Sequence, residues 1–185
     1  HGCSTKWREK RSSNVAIMES WKEIPVSIDT IDAEGVAELR ANPTNKYRLV
    51  NLWATWCAPC IEEFPTLVSI SRQYDMRDFE LITISLDDPK QEPKARAFLK
   101  RQGAGLTNNV QRSVEKEGRK TNHYLFTEAD QDALLTALDP EWPGPVPHTV
   151  LIAPGGEIIW RHNGIIDGDE ARSTIATALT RYYSP

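Results

Sequence analysis

Leu49-Val50-Asn51-Leu52-Trp53-Ala54-Thr55-Trp56-Cys57-Ala58-Pro59-Cys60-Ile61-Glu62-Glu63-Phe64-Pro65 decides how this 185-residue chain reads. Leu49 to Trp53 is a short, nearly continuous apolar run, the pattern of a strand buried on both faces. Ile61, Phe64, Leu67 and Val68 then recur at helical spacing, so a strand, a short turn and a helix are expected. Cys57 falls at the helix start, where unpaired backbone N–H groups and aligned peptide dipoles favour a thiolate. Cys60 lies one turn on, within reach to close a ring and release a product thiol. A structural zinc site is the competing reading, but it needs a second Cys or His pair. The remaining cysteine is Cys3, and His123, His148 and His162 are scattered.

Outward from this stretch, Val26-Ser27-Ile28 reads as an edge strand. Ile31, Val36 and Leu39 suggest a helix ending before Asn42-Pro43, since the residue before proline disfavours helix. Pro65 falls inside the active-site helix, where a kink is expected. Phe79 to Leu86 is a second central strand, and Pro93 to Gln102 a helix stopped by Gly103. Thr107 to Thr121 is polar and ambiguous, His123 to Phe126 a short strand, and Ala133 to Leu138 the apolar face of another helix. Thr149 to Ile152, a turn at Ala153 to Gly156, and Ile158 to His162 form an antiparallel hairpin. Ile175, Ala178, Leu179 and Tyr182 mark a closing amphipathic helix. Alternating strands and helices imply an α/β fold.

The length suits one core rather than two, giving a polar tether over residues 1–22 and one domain over 23–185. No apolar run approaches the roughly 18 residues of a membrane span. Formal charge is −4, divided as +3 over residues 1–22 and −7 over the rest, and an acidic body argues against nucleic acid as a partner. The chain begins at His1 rather than Met, which reads as a mature or trimmed fragment with any signal peptide out of view.

The combination Trp56-Cys57-Ala58-Pro59-Cys60, then Glu63 and Pro65 in a C-x-x-C-x-x-E-x-P pattern, then Val146-Pro147-His148-Thr149, resembles the thioredoxin-fold proteins, and among them the TlpA/ResA-like extracytoplasmic thiol-disulfide oxidoreductases. The resemblance runs from about Val26 to Tyr182 and is loosest over residues 103–143. It implies a central mixed β-sheet flanked by helices, with 103–143 as a variable insertion before a cis-proline loop. It also implies a dithiol needing no cofactor or metal, disulfide-containing proteins as substrates, a membrane thiol transporter as electron donor and the reducing direction outside the cytoplasm. Gly2-Cys3-Ser4 resembles the end of a bacterial lipoprotein signal, which would make Cys3 a lipid anchor; otherwise Cys3 is an unpaired tail thiol.

On this reading Cys57 is the exposed nucleophile and Cys60 the more buried resolving thiol. Glu63 is a partly buried carboxyl exchanging a proton with Cys60, against the alternative of a solvent-facing helical acid. Trp56, Ala58, Pro59, Val146 and Pro147 form the substrate-binding surface, Trp56 as a platform or as simple packing. His148 reads as a strand histidine with a satisfied ring rather than a site residue. Rival readings are a non-catalytic peptide-binding module of the same fold and a disulfide oxidant. A peroxidase is a third, but its Pro-x-x-x-Thr-x-x-Cys signature is absent around Cys57.

Overall fold

The computed structural model describes residues 13, 15–17 and 19–182; Cys3 and most of the expected tether lie outside them. Strand β1 (Asp29–Ile31) leads into α1 (Ala33–Ala41), β2 (Tyr47–Trp53), α2 (Ala58–Gln73), β3 (Phe79–Ser85) and α3 (Glu92–Arg101). After these come α4 (Asn108–Lys116), β4 (His123–Phe126), α5 (Gln131–Leu138), β5 (His148–Ile152), β6 (Ile158–Asn163) and α6 (Gly168–Tyr182). The six strands form one mixed sheet in the order β1-β4-β3-β2-β5-β6. β2 lies parallel to β3 and antiparallel to β5.

The apolar run that announces β2 feeds two cores, because successive side chains of a strand face opposite sides. Leu49 and Trp53 join Phe64, Leu67, Phe98 and Ile175 on one face, and Val50 and Leu52 join Val36, Leu39, Ile84 and Leu134 on the other. Trp53, Phe64 and Phe98 pack as a triad with ring centroids 5.1–5.2 Å apart. Truncating the fully buried Phe64 to Ala would cost about 3–5 kcal/mol. Asn51 shares the Leu49–Trp53 face, so the one polar residue of the run points toward α2, not toward solvent.

Two boundaries differ from the sequence reading. β1 lies at Asp29–Ile31 instead of residues 26–28, because Asp32 caps α1 by accepting the Gly35 N–H at 2.8 Å and leaves Ile31 in the sheet. Val26 and Ile28 instead pack against the first core. The ambiguous stretch after Thr107 is α4: Thr107 caps it, and Val114 is its one fully covered residue, so no apolar stripe marks it in the sequence. β4 enters the sheet between β1 and β3, parallel to both. In the N-terminal part, residues 15–17 and 19–21 are helical, and the Trp21 ring lies 5.2 Å beneath the Arg72 guanidinium. Gly103, at φ +65°, leaves room there: a Cβ would sit 3.1 Å from that of Trp21.

Candidate functional site

Cys57 is the N-cap of α2, with extended backbone, and its Sγ accepts the Cys60 N–H at 3.3 Å. Pro59 lacks an N–H, so the Cys60 amide does the capping. The two sulfurs are bonded to each other. Cys60 is fully covered, as the sequence suggests, but Cys57 is less open than expected, at 5% exposure. The physical reason is the facing loop: the Val146 carbonyl oxygen lies 3.5 Å from Cys57 Sγ, and the Val146–Pro147 peptide is cis. Trp56, by contrast, is 66% exposed, so it is not a packing residue. Together Trp56 and Val146 border a groove of about 590 Å³ whose other walls include Asp87, Asp88, Phe126 and Glu128.

Glu63 is 2% exposed, with the core rather than solvent around it. Its Oε1 accepts from Asn51 Nδ2 at 2.9 Å and its Oε2 from the Ile166 N–H at 2.9 Å. No cation bonds it. Burial pushes the carboxyl up to about 7, against the opposing pull of the Ile166 amide, the Asn51 amide and the charge of His162. A carboxyl one helical turn beyond Cys60 that can gain or lose a proton near neutrality is suited to proton exchange.

Several residues around the sulfurs carried no signal in the sequence reading. Asp87, just past the end of β3, is buried. Its carboxylate accepts from the Thr55 N–H at 3.0 and 3.1 Å, the Thr55 hydroxyl at 2.6 Å and the Ser85 hydroxyl at 2.6 Å. It thereby ties the turn before Cys57 to the end of β3. Behind the cis-proline loop, Asp139 Oδ2 lies 2.8 Å from His148 Nε2 and is also bonded by Arg161. Trp142 stacks on His148 and donates its indole N–H to the Pro145 carbonyl at 2.9 Å. His148 therefore acts in the frame that holds Val146 in place, and no sequence spacing links it to Asp139 and Trp142. Among the described residues, no three His, Cys, Asp or Glu side chains converge as a metal site.

The chain is similar to the thiol-disulfide oxidoreductase ResA of Halalkalibacterium halodurans, 27% identical over 133 residues that cover 72% of this chain and 62% of that protein. It is also similar to the thiol:disulfide interchange protein HelX of Rhodobacter capsulatus, 33% identical over 90 residues, 46% of each chain. The chain thus spans about three-fifths of the length of the ResA proteins of Halalkalibacterium halodurans and Geobacillus thermodenitrificans. A thioredoxin-family thiol:disulfide interchange protein from Chlorobium tepidum superposes with a TM-score of 0.55 at 22% identity, over 84% of this chain and 96% of its own. That likeness establishes the thioredoxin-like fold. The AhpC/TSA family model matches residues 27–161, which carry β1 through most of β6 and both cysteines, and the chain accordingly belongs to the AhpC/TSA family.

Proposed function

We propose that this protein is a thiol-disulfide oxidoreductase that reduces disulfides of other proteins outside the cytoplasm. The observation that carries this reading is the bonded Cys57–Cys60 pair at the N-terminus of α2, facing Val146 across the cis-proline loop. In the reduced protein the Cys57 thiolate attacks one sulfur of a substrate disulfide, and the other substrate sulfur leaves as a thiolate and takes a proton. Cys60 then gives its proton to the Glu63 carboxylate and attacks Cys57 Sγ. The Cys57–Cys60 bond forms and the second substrate thiolate departs. Trp56, Ala58, Pro59, Val146 and Pro147 form the surface against which the substrate chain lies. A membrane thiol transporter re-reduces the pair, as the resemblance to ResA-like proteins implies, and Cys3 supplies a lipid anchor, as the resemblance of Gly2-Cys3-Ser4 to the end of a bacterial lipoprotein signal implies.

The deciding measurement is the reduction potential of the pair on a Cys3→Ser background, read by Trp fluorescence, together with trapping of a mixed disulfide in Cys60→Ser. A potential near thioredoxin's, about −270 mV, with a trapped complex through Cys57 supports the reductase. A potential near that of DsbA, about −120 mV, would reverse the direction, and failure to trap any complex would leave a binding module.

A further inference from the structure

The buried polar cluster behind the sulfurs contains an atom that the chemistry so far leaves unexplained. Asn51 is fully buried in the middle of β2, and its Nδ2 donates to Glu63 Oε1 at 2.9 Å and to Thr149 Oγ1 at 3.1 Å. Among the described residues its buried Oδ1 has no hydrogen-bond partner. Thr149, also fully buried, is the residue directly opposite Asn51 in the β2–β5 register. An unpaired buried acceptor costs about 1–3 kcal/mol, so an apolar residue of similar shape would be cheaper if the amide served only as filler.

The arrangement suits only one charge state of Glu63. The ionised carboxylate accepts from two donors, Asn51 Nδ2 and the Ile166 N–H. When the carboxyl gains a proton, the Ile166 N–H still requires Oε2 as acceptor, so the proton belongs on Oε1. There it would face the Asn51 N–H donors. A side-chain amide is nearly symmetric in shape, and half a turn about its terminal torsion exchanges acceptor for donor. Oδ1 would then accept from the Glu63 O–H, and the Thr149 hydroxyl, which can donate as well as accept, would turn its hydrogen toward the same oxygen.

We propose that Asn51, backed by Thr149, is a positioning residue whose amide turns over as Glu63 gains and loses the proton exchanged with Cys60. The pair holds the carboxyl in one place through both states and gives each state a complementary partner. This rests on the role assigned to Glu63 above, though the test below needs neither substrate nor turnover. The groups that act on the carboxyl are Asn51 on β2, the Ile166 amide after β6, and His162 on β6 through its charge; Cys57 and Cys60, bonded to each other, do not titrate.

The test is a pH titration, from 5 to 9, of the oxidised full chain by NMR, following the Glu63 side-chain carboxyl carbon and the Asn51 side-chain NH2. Repeating it in His162→Gln separates the imidazole. The expected result is that both signals move with one common midpoint and that contacts between the Asn51 NH2 protons and Thr149, present at high pH, fade at low pH. In Glu63→Gln the Asn51 signal should be flat across the range. Asn51→Leu should raise the Glu63 midpoint, because a bond to a carboxylate is worth more than one to a neutral carboxyl. An Asn51–Thr149 contact that persists unchanged through the Glu63 transition overturns the proposal, as does an Asn51 signal that still titrates in Glu63→Gln. Neither result depends on whether Cys60→Ser traps a substrate, so failure of the oxidoreductase reading would be seen separately.

Discussion

Glu63 and Glu80 are both 2% exposed, and both are reached from β2, yet they are buried on opposite terms. Glu80 stands directly across from Arg48 in the β2–β3 register and bonds it at 2.8 Å. Lys46 at 3.1 Å and Arg119 at 3.3 Å complete a ring of cations around it, and Asn122 adds a further donor. Glu117 joins the same cluster through Arg48, Lys46 and Arg119. Burial disfavours the Glu117 charge, but those three cations outweigh it and hold its carboxyl below the usual range. Among the described residues Glu63 has two amide donors and no bonded cation. The contrast shows how one fold buries carboxyls on two terms: cations hold the Glu117 carboxyl below the usual range, and neutral donors leave Glu63 free to titrate near neutrality.

Breaking the cation cluster should produce the largest effect. Arg48→Met leaves Glu80 short of its closest partner and should destabilise the protein by about 3–5 kcal/mol, read as a drop in the denaturant midpoint at every pH from 6 to 9. The reduction potential of the cysteine pair should stay put. Adding Glu80→Leu should recover much of the loss, since a buried ion pair is often replaceable by apolar packing. A shifted potential in Arg48→Met would mean that the two buried carboxylates are coupled.

Glu63→Gln tests the opposite term, with a pH signature the first variant lacks. The native carboxyl binds its proton more tightly than the unfolded one, whose value is 4.5, because the folded value is about 7. Below pH 4.5 both states are protonated and burial carries no ionic penalty. Between about 4.5 and 7 the unfolded carboxyl ionises while the buried one keeps its proton, so the native state loses stability across that window and the loss is complete once the buried group ionises above 7. Oxidised Glu63→Gln should therefore match the native protein near pH 4 and exceed it by about 3 kcal/mol at pH 8. Equal denaturation midpoints at pH 8 would show that Glu63 ionises without penalty and would remove its role in proton exchange.

These two clusters were not equally legible in the sequence. The C-x-x-C pair, the buried strand before it and the proline loop at Val146-Pro147 are local patterns, and each appears where its residues stand. Position alone leaves Glu63 as either a buried or a solvent-facing acid; the C-x-x-C-x-x-E-x-P resemblance favours burial, and the residue is buried. Asn51, Asp87, Asp139, Arg48 and Glu80 act across the sheet, between residues 9 to 98 positions apart, and no periodicity encodes such a partnership. The polar residue within the Leu49–Trp53 run was the one available hint, because an Asn in a doubly buried strand needs a partner. The end of β1 was misplaced for a similar reason: Asp32 caps α1, and that capping bond, not hydropathy, sets where the strand stops.

Trp56 supplies the smallest stability effect and the sharpest contrast with the cation cluster. Its indole is 66% exposed beside the groove, so the folded protein gains little from it, and Trp56→Ala should change stability by no more than about 0.5 kcal/mol. If the indole packs against a substrate chain, covering it there is worth about 1–2 kcal/mol. Removing it should lower kcat/KM for a protein disulfide by about 5- to 30-fold, mostly through KM. Exchange with a small disulfide such as oxidised glutathione, which reaches the sulfurs without spanning the groove, should change far less. Equal losses for both substrates would move Trp56 from recognition to the chemistry of the sulfurs, whereas no loss for either would assign substrate contact to Val146 and the far wall of the groove. In the first two of these cases activity falls while stability holds, the reverse of Arg48→Met, so binding at the surface and charge pairing in the core are separable properties of the same sheet.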